Sequence, residues 1–392
     1  MTSIGIITIH NSPNYGACLQ SFALYKFLET QGYEVEIIDL YRPSFADYVP
    51  SKRFRPYAHR EETRAQWLKR KVRRFLNLSC CRPDDASHNV SKIEKSASLI
   101  DAERKMALFN SHIRLSKAYR CIDYLYANPP VYDIYITGSD QVWNPEQSYC
   151  VEPYFLGFVP KGKRKISYAS SVGITELTHQ ERRDFRRWLK GYDRISVRER
   201  QGCELLAQLT KREIARVCDP TFLLAPEYWR SIMNVPPHKG YILVFTLERD
   251  SRFVDYGLRL AAESGKRLVL FGMDQIRTSC EECVVVNDGG PADFLGYIAN
   301  AGLVITDSFH CTVFSIIMGT DFYTYIDPSS KRGSRVTDLL ESVGMDGHIL
   351  DVNFAQSHNR PVSGKTDWEV VAARLQKESE RSQAYLLDCL KS

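Results

Sequence analysis

What this chain has least of is hydrophobic continuity. No apolar run approaches the ~20 residues that a bilayer-spanning helix needs, so membrane-spanning helices are not expected. The opening MTSIGIITIHNSPNYG enters a strand at once, with no basic stretch ahead of its short apolar run, and does not read as a secretory leader. Charge of one sign is not in excess either. Against 52 Lys and Arg stand 47 Asp and Glu, a net +5 that is too mild to argue for nucleic acid but suits an anionic substrate. The eleven cysteines are odd in number and irregularly spaced, which gives no disulfide framework and favours a reducing cytoplasm. Cys280 and Cys283 form a lone C-x-x-C without a second pair, so neither zinc nor redox chemistry is expected there, and no metal site is expected elsewhere. The chain also lacks G-x-G-x-x-G, the P-loop, H-E-x-x-H and G-x-S-x-G. Dinucleotide enzymes, P-loop NTPases, zincins and α/β-hydrolases are thereby disfavoured.

What is present is alternation of strand, polar turn and helix. In residues 299–326 an apolar run, 302–305, ends at Thr306-Asp307-Ser308-Phe309-His310. A second apolar segment then leads to another strand at 322–326. The same unit opens the chain: a strand at 4–9, the turn HNSPNYG, helical spacing from 17 to 31, and a strand at 35–40. It resumes with strands at 133–136, 165–169 and 194–197, and again at 241–247, 267–271, 284–286, 303–305 and 322–325. Parallel sheets of this kind bind ligands just beyond the carboxyl ends of their strands.

With 392 residues there is room for two cores. The expected architecture is α/β: two Rossmann-like doubly wound domains facing a cleft. Residues 1–217 form an N-terminal, acceptor-binding half with a helical insertion at about 42–130. Residues 218–365 form a C-terminal, donor-binding half, and 366–392 a helix that packs back on the N-terminal domain. Within the insertion, residues 67–76 suggest a basic amphipathic helix. It reads either as a solvated face packed on the core or as a patch that docks on a membrane surface beside lipid-linked substrates.

Several residues at the strand ends have chemistry to offer. His310 can exchange a proton near neutrality, although an isolated histidine is more often structural; Asp307 and Ser308 beside it favour function. Arg198, after the strand at 194–197, would either pair with Glu199 or a neighbouring helix, or grip a carboxylate or phosphate at two points. Lys331 and Arg335 offer further cations near the same edge, or are simply exposed. Asp140, Trp143 and Asn144 could line a sugar site, with Trp143 packed inward as the competing reading, and Asn14 and Tyr15 have the same status.

Taken in order, ITIHNSPNYGACLQSFAL, YDIYITGSDQVWNP, KISYASSVG, ISVRER, VCDPTFLL, YILVFTL and LVITDSFHCTVFSIIMGTDF resemble the polysaccharide pyruvyl transferase family over about residues 4–326. The resemblance implies a fold similar to the GT-B glycosyltransferases. The implied reaction transfers the pyruvyl group of phosphoenolpyruvate, a co-substrate and not a cofactor, onto two hydroxyls of a free or lipid-linked sugar as a cyclic ketal. It places donor-binding and catalytic roles on Ser308, His310 and Arg198. An arginine sometimes found at the Ser308 position is absent, which makes Arg335 or Lys331 its substitute. The expected setting is cytoplasmic, peripheral at the inner face of the membrane, with no nucleic-acid partner. Two rivals stay open: a GT-B glycosyltransferase with a nucleotide-sugar donor, and a non-catalytic module that binds membrane or polysaccharide.

Overall fold

The computed structural model describes residues 1–45, 47–52, 54, 57, 96–147, 152–248, 250–272, 283–328, 334–356 and 366–391. The basic segment 67–76, Cys280 and Lys331 lie outside these residues.

The first half contributes β1 (Ser3–Ile7), β2 (Glu34–Ile37), β3 (Ile134–Thr137), β4 (Arg164–Ser167), β5 (Ile195–Val197) and β6 (Ile214–Arg216). The first four form a sheet in the order β2-β1-β3-β4, and β5 pairs with β6. Parallel bridges from Ile166 to Arg194 and from Ser170 to Val197 continue the sheet across β4 and β5. The second half contributes β7 (Ile242–Phe245), β8 (Leu268–Phe271), β9 (Cys283–Val286), β10 (Leu303–Thr306), β11 (Phe322–Tyr325) and β12 (Ile349–Leu350), in the order β12-β11-β10-β7-β8-β9. Every ladder among the described residues is parallel. Strands covered on both faces read as continuous apolar runs, so LVLF in β8 and ILVF in β7 are buried at every position. In the second sheet the strand order reverses between β10 and β7, which sets that sheet's switch point.

The first helix, Tyr15–Thr30, shows why the halves are held together. Twelve of its sixteen residues are buried, because one side covers its own sheet and the other meets the second half. Leu19 and Phe22 join Phe245, Phe294 and Phe314 in one apolar cluster that runs through both halves. The C-terminal helix, Trp368–Lys391, crosses the junction. Ser382 Oγ accepts from the Cys218 amide, Ser379 Oγ donates to the Phe222 carbonyl, and Tyr385 Oη donates to the Ile195 carbonyl.

Two features were not legible in the pattern. The stretch expected to be a helical insertion holds the helices Ala97–Asn110 and Ile122–Ala127, but it also returns to the sheet. Leu115 makes a parallel bridge to Ile37 at the end of β2, and Tyr119 one to Leu40 just beyond it. The strands β6 and β12 are three and two residues long, too short for a period to show.

Candidate active site

The turn after β10 carries Ser308 as the N-cap of the helix Phe309–Met318, its hydroxyl accepting from the Cys311 amide at 3.4 Å. His310, two residues on, is thereby directed into the junction, where its exposure is only 9%. Arg198, just past the end of β5, points to the same place and is 7% exposed. Between them lies Asp219, at the crossing from one half to the other and 1% exposed. Arg198 Nη1 donates to Asp219 Oδ2 at 2.5 Å, and His310 Nε2 lies 3.5 Å from that same oxygen, an ion-pair distance beyond ordinary hydrogen-bond length. Ser139 Oγ, from the loop after β3, also reaches Oδ2 at 3.5 Å. The second carboxylate oxygen accepts from the Thr221 amide and hydroxyl at 3.0 and 2.8 Å.

Burial alone would raise the Asp219 pKa. His310, Arg198 and the Thr221 amide overcome that, and hold the carboxyl well below its usual range. A fixed negative charge therefore sits between a guanidinium and an imidazole. Among the described residues Arg198 Nε and Nη2 are buried without a hydrogen-bond partner, and His310 Nε2 has only the Asp219 carboxylate at ion-pair distance. Buried N–H groups of this kind cost free energy unless something accepts from them, so the arrangement is suited to an anion. The Arg198 guanidinium carbon stands 4.3 Å from the centroid of the Phe309 ring, and that of Arg335 stands 5.6 Å from it. The first helix closes the other side of the imidazole: a Cβ on Gly16 would lie 2.2 Å from His310 Nδ1. Burial pushes the nearby thiols of Cys218 and Cys311 up to about 12, so neither is a thiolate near neutrality. Among the described residues no cluster of three or more His, Cys, Asp or Glu is placed to hold a metal.

The remaining candidates fall elsewhere. Trp143 packs inward: fully buried, it stacks on Phe155 at 4.7 Å and donates from Nε1 to the Tyr154 carbonyl, which leaves no ring face for a sugar. Asn144 is also buried, its amide bound to Gln141 Oε1 and its carbonyl to the Glu146 amide. Asp140, half-buried with φ 72°, accepts from the Gln141 amide in the tight turn after β3. Asn14 is the N-cap of the first helix, accepting from the Ala17 amide at 3.2 Å. Tyr15 reaches across to the second half and donates to the Gly289 carbonyl at 2.9 Å.

The partners that adjacency suggested are not the ones used. Asp307 faces away from His310 and takes the Thr246 hydroxyl and the Leu247 and Glu248 amides at 2.6, 2.7 and 3.2 Å. Glu199 binds Ser171 Oγ and the Val172 amide, and leaves Arg198 to Asp219. Asp219 is the residue sequence reasoning missed. Its only signal was the Asp-Pro step at the crossing between halves.

A GT-B-like frame of two Rossmann-like domains, with its charged groups gathered at the junction, defines the class. The chain belongs to the polysaccharide pyruvyl transferase family, whose model matches residues 14–330, and this makes it a transferase with a saccharide substrate. Among solved structures, UGT89C1 of Arabidopsis thaliana complexed with quercetin is 11% identical over 99% of this chain and 98% of its own, with a TM-score of 0.51. UDP-GlcNAc 2-epimerase of Neisseria meningitidis bound to UDP-GlcNAc is 9% identical over 100% and 99%, with a TM-score of 0.49. At these identities the likeness is one of fold alone. No curated protein matches the sequence. Among the described residues no helix is long and apolar enough to cross a membrane.

Proposed function

We propose that the protein transfers the pyruvyl group of phosphoenolpyruvate onto two hydroxyls of a sugar to give a cyclic pyruvate ketal, in the assembly of a capsular or exported polysaccharide. The observation that carries this reading is the buried guanidinium of Arg198, two of its nitrogens without a hydrogen-bond partner among the described residues, set beside His310, whose Nε2 faces the Asp219 carboxylate. Phosphoenolpyruvate has a carboxylate and a phosphate, and such a molecule needs converging cations; Arg198 offers a two-point grip and Arg335 a second positive charge nearby. No cofactor enters this chemistry.

The enol carbon C3 takes a proton, and a sugar hydroxyl adds to C2 with loss of its own proton, giving a tetrahedral ketal phosphate. A second hydroxyl of the same sugar then attacks C2 as the C2–O bond to phosphate breaks, and its proton leaves with the phosphate as the ring closes. His310 is the group that moves protons near C3 or the attacking oxygen. Asp219 orients both side chains and supports the imidazolium form when it arises. The test is incubation with phosphoenolpyruvate and a panel of free and lipid-linked saccharides. Phosphate release that depends on acceptor, together with an acceptor heavier by one ketal, is the expected result. Turnover with a nucleotide-sugar, and none with phosphoenolpyruvate, would hand the function to the glycosyltransferase rival.

A further inference from the structure

Open parallel sheets take ligands at the carboxyl ends of their strands, near the switch point, where loop amides meet an anion and side chains flank a ring. In the second half that place is filled by the chain itself, twice over. The Asp307 carboxylate occupies the amides of Leu247 and Glu248 after β7. Tyr15, arriving from the first half, occupies the space over β7, β8 and β9. Its ring stacks on Phe294 at 5.0 Å and 12°, meets Phe271 edge-on at 5.5 Å and Phe245 at 6.0 Å. Phe245 and Phe271 are the last residues of β7 and β8, and the Tyr15 hydroxyl ends on the Gly289 carbonyl beyond β9. A Cβ on Gly272, the residue following β8, would come within 4.0 Å of that hydroxyl.

We propose that Tyr15 determines donor specificity: its ring closes the strand-end crevice of the second half to a nucleobase, so the junction site at Arg198 and His310 is left to a small anionic donor. The identity of that donor rests on the function proposed above; the closure does not. An aromatic plug with a satisfied hydroxyl excludes a planar heterocycle by occupying its slot, at no cost in unpaired polar groups.

The test is thermal melting of the full chain, as wild type, Tyr15→Phe and Tyr15→Ala, with millimolar UDP, p-cresol or phosphoenolpyruvate as probes. UDP should leave the wild type and Tyr15→Phe unshifted. Tyr15→Ala should melt lower by about 5 °C, the order expected when a large aromatic is lost from a packed cluster. p-Cresol, which refills the emptied slot, should restore at least half of that drop in Tyr15→Ala alone. UDP, whose uracil can enter the same slot, should raise the Tm of Tyr15→Ala, and p-cresol should compete with it. A UDP shift in the wild type would overturn the proposal, as would a Tyr15→Ala variant that melts with the wild type or ignores both probes. Should Tyr15→Ala not fold, Tyr15→Leu carries the same comparison. An absent phosphoenolpyruvate shift, alongside rescue by p-cresol, would sink the donor reading while supporting the role of Tyr15.

Discussion

At the scale of single residues, three side chains share one charge balance. His310→Ala removes the proton carrier and leaves the Arg198–Asp219 pair intact. Turnover should fall about 10²–10⁴-fold, the usual worth of a positioned acid or base, in a protein that still melts cooperatively. Steady-state rates and calorimetry on the same preparation check this, and near wild-type turnover would remove His310 from the chemistry. Asp219→Asn acts differently, because it strands a buried guanidinium. Losing one member of a buried pair costs roughly 3–5 kcal/mol, and stability at neutral pH should drop by that order. The pH dependence has a definite sign. A carboxyl whose folded pKa is depressed, as here by His310 and Arg198 against the opposing effect of burial, stabilises the fold fully above its unfolded pKa near ~3.9. That contribution is lost as pH falls through the folded value. The stability gap between wild type and Asp219→Asn should therefore be constant near neutrality and shrink below about pH 4. Urea melts at stepped pH would show it; a gap that widens with acid would mean the carboxyl is not held ionised.

At the scale of elements, the site depends on where two helices begin. The helix Phe309–Met318 is started by Ser308, and its first turn aims His310 at the junction. The helix Tyr15–Thr30 then brings Gly16 against the imidazole. Alanine is the better helix former by ~1 kcal/mol, so on propensity alone Gly16→Ala would stabilise. Its methyl, however, would sit 2.2 Å from His310 Nδ1, so the ring or the helix must move. The expected outcome is a large loss of kcat without a gain in Tm, read from turnover and melting together. The strand-turn-helix alternation that makes these elements was legible from apolar runs and polar breaks, as were His310 and Arg198, because strand ends are where parallel sheets present side chains. The pairing of those residues was not legible. Asp307 neighbours His310 in sequence, yet a residue at a strand end faces whichever loop lies across the sheet, and Asp307 faces the loop after β7. For Trp143 the sequence leaves two readings open, a sugar platform beside Asp140 and Asn144 or a side chain packed inward, and stacking on Phe155 in the core decides for the second. The Tyr15 contact joins residues 274 apart, and no local pattern reports such a separation.

At the scale of the whole molecule, the junction is held from outside by the C-terminal helix. Near its start Arg374 donates to the Val343 carbonyl of the second half at 3.2 Å. At its middle Ser379, Ser382 and Gln383 bind the main chain at Phe222, Cys218 and Leu223. At its end the Leu390 carbonyl accepts from Arg164 on β4 at 3.0 Å, and Leu386 and Cys389 are buried. One rigid rod thus spans both halves and fixes the backbone on either side of Asp219. Deleting it would expose apolar surface and strip hydrogen bonds from several buried carbonyls at once, so loss of the fold would say little about the site. Ser382→Ala is the sharper probe, since it removes the acceptor for the Cys218 amide, one residue before Asp219, with the hydroxyl's contacts to the Cys218 thiol and Tyr168. Leaving that amide unpaired should cost about 1–3 kcal/mol. If the strap holds Asp219 in register, kcat should fall several-fold and the KM for the donor should rise with it, because Asp219 holds Arg198 as well as His310. The result is read from Tm and from donor saturation curves on Ser382→Ala, with Ser379→Ala as the comparison further from Asp219. Equal effects of the two substitutions on kcat would show the helix to be a passive cover, with no part in holding the junction.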